Sequence, residues 1–322
     1  MNKLFCILGP TATGKTDLGL MLAKRFDGEI VACDSRQVYI GLDIGTGKLP
    51  SNPAGVRKKN GYWEIDGIKV WMYDVASLNT QYTVADYVKN AEEVIKDIIS
   101  RGKIPIIVGG TGLYIKALFE GLPNLSVPLN KKLRGELEKL NLEELQSKLK
   151  LLSPTRWEKL NNSDKQNPRR LLRAIELLSM NPYVGKVKNS ELRVKNYNIL
   201  KIGLTAPRDQ LYKSVDLRVF DWIKQGIIEE VEEFLKKWIS TDRFRQLGLE
   251  YRIIADFLDG KFSKDKLIKT IQNNIHGYVR RQLTWFKKTR GVNWFYITDN
   301  RYQEDVEKLA YKWYYKDNDK KD

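Results

Sequence analysis

The stretch Gly9-Pro10-Thr11-Ala12-Thr13-Gly14-Lys15-Thr16 decides the fold. It meets G-x-x-x-x-G-K-[ST] at every fixed position, and its flanks supply the context that gives the pattern meaning. Lys3–Leu8 before it is a short apolar run, predicted as a buried strand. Asp17–Phe26 after it places Leu18, Leu22 and Phe26 on one helical face. In a strand–loop–helix of this kind, glycines let the backbone curl so that N–H groups point at phosphate oxygens, and the helix N-terminus adds a positive partial charge. Lys15 supplies a mobile cation, and Thr16 a hydroxyl suited to Mg2+. The loop predicts a polyphosphate site. It does not say which molecule carries the polyphosphate, or that a phosphoryl group moves.

Working outward, Glu29–Cys33 is a second buried strand that delivers Asp34-Ser35 at its carboxyl end. Ligands of parallel α/β sheets sit beyond those ends, so Asp34 shares a rim with the phosphate loop. There a carboxylate can hold a metal's water shell or act as a general base; as a plain turn residue it would cap the chain. Gly41–Gly47 shows little helical or strand character. Tyr62–Ile65 and Ile68–Tyr73 flank Asp66-Gly67, a two-residue hairpin turn. Val84–Ser100 has helical apolar spacing, and Ile104–Val108 is a third buried strand ending in Gly109-Gly110-Thr111-Gly112. Strands alternating with helices predict a parallel sheet flanked by helices, the α/β class of P-loop NTPases. After about Lys116 the chain turns charged and helical over 129–180, passes a polar stretch over 181–196, and resumes a β-like run at Ile199–Leu204. The predicted organisation is a catalytic core of 1–116 and 197–322, with basic C-terminal helices between Arg208 and Lys288, and an inserted, mainly helical domain of 117–196. Residues 315–322 are predicted as a frayed polar tail.

Composition narrows the partners. Lys+Arg 56 against Asp+Glu 40 gives +16, which draws a protein to nucleic acid, anionic membrane or phosphorylated metabolites. No apolar run approaches the ~20 residues of a membrane span, and Leu4–Leu8 is too short for a signal-peptide core, so a cytoplasmic location is expected. Cys6 and Cys33 lie in apolar runs and are expected as buried thiols of a reducing compartment. One histidine, His276, and no Cys-x-x-Cys pair exclude a multi-histidine site and a zinc finger.

Several further segments carry a resemblance. Asp34-Ser35-Arg36-Gln37-Val38-Tyr39 followed by Gly41-Leu42-Asp43-Ile44-Gly45-Thr46-Gly47-Lys48 resembles the D-S-x-Q-x-Y and G-x-D-I-G-T-x-K patterns of the tRNA dimethylallyltransferases, or tRNA isopentenyltransferases. Gly109–Tyr114 is similar to their G-G-T-x-L-Y. Asn167-Pro168-Arg169-Arg170 with Arg173–Glu176 is similar to the arginine-rich helix of their inserted domain, and Arg281–Phe286 to their R-Q-[IL]-T-W-[FL]. The motifs keep the family's order from residue 9 to 286, and the lack of a zinc finger points to the bacterial form. The chain departs from the pattern at Lys213-Ser214, where the family carries an arginine that Arg218 or Lys213 would replace, and at Val70–Tyr73, where the family commonly has histidines. Gly248–Arg252 matches the corresponding family segment only loosely.

The resemblance implies transfer of a dimethylallyl group from dimethylallyl diphosphate to the exocyclic amine of the adenine just 3′ of the anticodon of tRNA. The phosphate loop, with Arg208 and Arg218, would then hold the leaving diphosphate with Mg2+ on Thr16, while Asp34 takes the amine proton. Asp34, Ser35, Arg36, Gln37, Thr111, Arg134, Gln166, Asn167, Pro168, Arg169, Arg170, Arg245, Arg281 and Gln282 would meet tRNA, and the protein would act as a monomer off the membrane. Leu283, Trp285 and Phe286 are expected to pack inward. The alternatives are a nucleotide or small-molecule kinase, a prenyltransferase of free AMP or ADP, and a non-catalytic RNA-binding switch. The basic helices favour the tRNA enzyme over the kinase.

Overall fold

In the computed structural model, which describes residues 2–50, 54–125, 127–180 and 197–316, the phosphate loop leaves β1 (Asn2–Leu8) and opens α1 (Lys15–Arg25). Leu4 to Leu8 have no solvent exposure, as a central strand covered on both faces requires. β2 (Gly28–Ala32) follows, then β3 (Val56–Lys59), β4 (Tyr62–Ile65) and β5 (Ile68–Trp71). The β4–β5 turn is the expected Asp66-Gly67 pair, both at positive φ. β5 stops at Trp71, short of the predicted Tyr73, because Met72 adopts φ 70°. α2 (Val84–Ser100) starts at a capping box between Thr83 and Asp86, worth about 1 kcal/mol. β6 (Ile104–Gly109) and α3 (Gly112–Glu120) complete the first half.

The chain then forms α4 (Lys131–Leu137), α5 (Leu142–Leu152), α6 (Pro154–Glu158), α7 (Asn162–Lys165) and α8 (Pro168–Met180) before β7 (Tyr197–Thr205) returns to the sheet. After it come α9 (Arg208–Gln225), α10 (Ile227–Lys236), α11 (Thr241–Leu247), α12 (Leu249–Leu258), α13 (Lys264–Phe286), β8 (Val292–Tyr296) and α14 (Tyr302–Tyr315). The polar stretch 181–196 and the tail beyond 316 lie outside the described residues.

The eight strands run in the order β3-β4-β5-β2-β6-β1-β7-β8. β1 lies parallel between β6 and β7, and β2 lies parallel between β5 and β6. The antiparallel β3–β4–β5 ribbon forms one edge. Two edge strands and the last helix were not anticipated. Val-Arg-Lys-Lys in β3 holds one apolar residue and is mostly exposed, so it carries no alternation to detect. β8 is only half covered, and takes its place by pairing parallel to β7.

The chain divides into two compact units, Met1–Phe119 with Val194–Asp322, and Glu120–Arg193. In the first, helices α9 to α13 share an apolar core built on Leu211, Val215, Ile254, Ile271 and Val279. The second has its own small core of Leu137, Leu145, Leu149, Leu171, Leu172, Ala174 and Ile175.

Candidate active site

Three strand ends and the helices α1, α9, α12 and α13 of the first unit line a cavity of about 670 Å3. The loop after β1 forms one part of its wall. Gly9 sits at φ 148°, and a Cβ there would overlap the Leu204 carbonyl oxygen of β7, so the loop can leave the sheet this way only with glycine. Thr13 Oγ1 donates to the Pro10 carbonyl at 2.9 Å, and Lys15 Nζ donates to the same oxygen at 2.5 Å. The loop's shape is thus held by its own side chains. Thr11, Gly14, Lys15 and Thr16 all line the cavity.

Arg218, from α9, reaches the loop and donates through Nη1 to Thr11 Oγ1 at 3.2 Å. Its guanidinium lies 5.1 Å from the centre of the Trp222 ring. Among the described residues, no carboxylate is in ion-pair contact with Lys15 or Arg218. Burial first, and then the positive charge of Arg218, lower Lys15 from 10.5 to about 7, while Asp34 pulls it back up. Burial also lowers Arg218. Two half-buried cations on one cavity wall form a site that an anion would stabilise.

The end of β2 supplies the carboxylate. Asp34 Oδ1 accepts the Arg36 backbone N–H at 2.9 Å. Ser35 N–H donates to Thr111 Oγ1 at 3.1 Å, which ties the β2 and β6 loops together. Gln37 donates to the carbonyls of Thr46 and Gly47 at 3.2 and 3.3 Å. Asp34, Arg36 and Gln37 line the same cavity as Lys15 and Arg218, so the juxtaposition expected from the strand ends is present.

Other predicted residues lie elsewhere or have other uses. Arg208 is exposed in the first turn of α9 and does not line the cavity; ten residues further along the helix, Arg218 does. Gln282 is only 5% exposed, and both ends of its amide are engaged: Oε1 accepts the Thr11 N–H at 3.0 Å and Nε2 donates to the Gly110 carbonyl at 2.9 Å. It clamps the phosphate loop to the β6 loop and has no free end for RNA. Arg245 is surrounded by Asp242, Asp256 and Asp259. In the second unit, Arg134 pairs with Glu176, a fully buried carboxylate that also accepts from Arg173 and from the Asn130 N–H. These three residues are engaged within the protein: Arg134 and Gln282 because a buried carboxylate or an unpaired loop amide takes the nearest donor or acceptor, and Arg245 by three neighbouring aspartates. Gln166, Pro168, Arg169 and Arg170 are exposed, with Arg170 paired to Asp164 and Asn167 partly covered. Arg281 is exposed on α13, its guanidinium 5.8 Å from the Tyr278 ring centre. Phe286 is buried and Leu283 partly so. Trp285 is 37% exposed, lying against Gly112 rather than in the core.

Some site-building residues were not singled out from the sequence. Lys48 is fully buried and donates to the Tyr39 carbonyl at 2.8 Å and to Asp43 at 2.7 Å, and it pairs with Asp74. Glu230 of α10 accepts the Asp43 and Ile44 N–H groups, both at 2.8 Å, and the Tyr251 hydroxyl at 2.9 Å. Together they hold the 41–48 loop against the cavity. Glu250 is 1% exposed and pairs with Arg36. Its signal was available: it stands three and four residues before the buried Ile253 and Ile254, on the apolar face of α12.

A family model described as IPP transferase matches residues 37–289, and one described as isopentenyl transferase matches residues 2–64. The chain is 34% identical over 321 residues to a tRNA dimethylallyltransferase of Halothermothrix orenii, covering 96% of this chain and 93% of that protein. Its fold is similar to that of the full-length tRNA isopentenylpyrophosphate transferase of Bacillus halodurans, with a TM-score of 0.70, 32% identity and 99% of each chain covered. A eukaryotic dimethylallyltransferase acting on tRNA has a similar fold at a TM-score of 0.75 and 24% identity, covering 96% of this chain and 78% of that one.

Proposed function

The chain belongs to the IPP transferase family, and on that premise we propose that it transfers a dimethylallyl group from dimethylallyl diphosphate to the N6 amine of the adenine immediately 3′ of the anticodon in tRNA. The observation that carries this reading is the convergence of Lys15 and Arg218, two cations with no ion-pair partner among the described residues, on a cavity whose wall also holds Asp34. A kinase would share both the cations and the carboxylate; the family match and the basic helices favour transfer to tRNA.

The adenine N6 lone pair attacks C1 of the dimethylallyl group. The C1–O bond breaks, and its electron pair leaves with the diphosphate. Lys15, Arg218 and the loop N–H groups stabilise the charge that develops on the leaving oxygens. The amine is barely basic, so attack builds positive charge on nitrogen; Asp34 stabilises it and accepts the N6 proton. Thr16 is the residue that would hold Mg2+. Among the described residues no group of three acidic, His or Cys side chains could hold a metal, and a single hydroxyl suits an ion bound mainly through its substrate's phosphate oxygens and waters. When bound, Mg2+ would neutralise diphosphate charge.

An adenine in a stacked anticodon loop must leave the stack to reach such a cavity. The exposed Arg280 and Arg281 of α13 are proposed to track the tRNA backbone, and the exposed Arg169 and Arg170 of the inserted unit to grip it as well. We take the protein to be a cytoplasmic monomer; no helix among the described residues is long and apolar enough to cross a membrane. The test is incubation with dimethylallyl diphosphate, Mg2+ and unmodified tRNA, followed by mass analysis of the nucleosides. One adenosine of the tRNA should gain a dimethylallyl group, and free AMP and ADP should gain none. Label passing instead from the γ-phosphate of ATP to a small acceptor would replace this reading with a kinase.

A further inference from the structure

Of the carboxylates that line the cavity beside Asp34, one is buried, and the chemistry above gives it no task. Glu250 enters from α12, and its Oε1 accepts from Arg36 Nη1 at 2.5 Å. Arg36 is itself held from several sides. Its guanidinium lies 5.7 Å from the ring centre of Tyr278 on α13. Its backbone N–H donates to Asp34 Oδ1 at 2.9 Å, and its Nε stands 4.0 Å from that same oxygen. The Arg36 and Glu250 side chains are 14% and 1% exposed.

A buried ion pair is a poor device for stability, because desolvating two charges offsets most of their attraction. An apolar pair of similar volume would fill the space as well. What the ion pair does provide is direction. The carboxyl torsion of an aspartate is broad and roughly two-fold, so the side chain alone does not choose which oxygen faces a ligand. Here both contacts from Arg36 fall on Oδ1, and Oδ2 receives no hydrogen bond from the described residues. Ser35, between the two residues, is fixed separately by Thr111.

We propose that Glu250 and Arg36 are a positioning pair for the reaction: Glu250 anchors the Arg36 guanidinium, and Arg36 holds Oδ1 of Asp34 so that Oδ2 faces the incoming amine. The proposal rests on the reading of Asp34 as the group that accepts the N6 proton. It identifies neither Arg36 nor Glu250 as a contact of the diphosphate.

The experiment is single-turnover prenylation of unmodified tRNA at saturating dimethylallyl diphosphate, with the dissociation constants of both substrates measured separately. Glu250→Gln keeps an acceptor oxygen but loses the charge; Glu250→Leu loses both. The rate constant should fall about tenfold in Glu250→Gln and further in Glu250→Leu, since small misplacements of a reacting group carry losses of this order. Both dissociation constants should stay within about twofold of wild type, because the pair acts on geometry and not on uniform binding. Arg36→Met/Glu250→Leu, which removes both charges and so avoids a buried unpaired one, should be no slower than the slower of its two single variants. In an Asp34→Asn background, Glu250→Gln should have no further effect. Wild-type rates in both Glu250 variants would overturn the proposal. So would an equal loss in the affinity of both substrates together with the melting temperature, or a full tenfold loss in the Asp34→Asn background. Failure of the underlying reading looks different: Asp34→Asn alone would turn over at the wild-type rate.

Discussion

Burial, and then the charge of Arg218, lower Lys15 to about 7, which makes a single residue the source of a pH dependence. Without ligand the ammonium opposes folding below about pH 7, and that penalty fades as pH rises from 7 toward the ordinary 10.5. A bound diphosphate reverses the preference by stabilising the charged form. Inorganic diphosphate should therefore take up protons on binding above pH 7, and bind more weakly as pH rises through 8. Calorimetry in two buffers of different ionisation heat measures the uptake; Lys15→Met should lose most of it along with turnover. Equal uptake in the variant would place the titrating group elsewhere. Lys15 and Asp34 were legible because each is dictated by local context, a loop motif and a strand end. Arg218 was legible only as a substitute for a missing family arginine, since the turns of α9 decide which basic residue reaches the loop.

Neighbouring elements add to the loop's own side-chain bonds in holding the phosphate loop in place. α13 does so through Gln282, whose amide spans Thr11 and Gly110. Gln282→Leu leaves the part-buried Thr11 N–H and the buried Gly110 carbonyl without their partner, which costs about 1–3 kcal/mol. The melting temperature should drop and diphosphate affinity with it. Unaltered diphosphate binding would show that the loop keeps its shape without the clamp. The 41–48 loop makes a comparable demand from the other side. Gly47 sits at φ 60°, and a Cβ there would overlap Arg218 Nη2. Gly47→Ala should therefore push Arg218 off Thr11 and raise KM for dimethylallyl diphosphate several-fold, about 1 kcal/mol of binding, while tRNA affinity is preserved. A parallel loss of tRNA affinity would mean the loop collapses as a whole. The β1–loop–α1 unit and α2 were readable as elements because their signals are periodic and locally capped. β3 was not, since an exposed edge strand of basic residues has no apolar alternation to betray it.

At the scale of the molecule, the +16 charge predicts how a polyanion would bind. Affinity for tRNA should fall steeply with salt, because each neutralised phosphate releases counterions; for a largely single-stranded loop the log–log slope is about −0.7 per contact. Arg281→Ala removes an exposed cation from α13 and should flatten the slope by about 0.7 units, with diphosphate affinity unchanged. A salt-insensitive complex, or a well-folded variant with full tRNA affinity, would remove α13 from the RNA surface. Arg245→Ala should behave in the opposite way, lowering stability without touching the salt slope, because three aspartates already neutralise that residue.

The sequence by itself determined the phosphate loop, the buried parallel strands, the carboxylate at the end of β2 and the family. All of these follow from short-range patterns: glycines where the backbone must curl, apolar runs where a strand is covered on both faces, and motifs of fixed spacing. Only the tertiary structure decided which of the many cations are available to a ligand. Arg134, Arg208, Arg218, Arg245 and Arg281 carry the same guanidinium, and nothing local distinguishes them. Arg134 is drawn to Glu176, because an unpaired buried carboxylate recruits the nearest donor, while Arg245 is surrounded by three partly exposed aspartates that the packing of α11 and α12 brings around it. Arg218 is left facing the loop, and Arg208 and Arg281 remain at the surface. The same long-range logic set Glu250 beside Arg36 across 214 residues of chain, a pairing that no local pattern encodes.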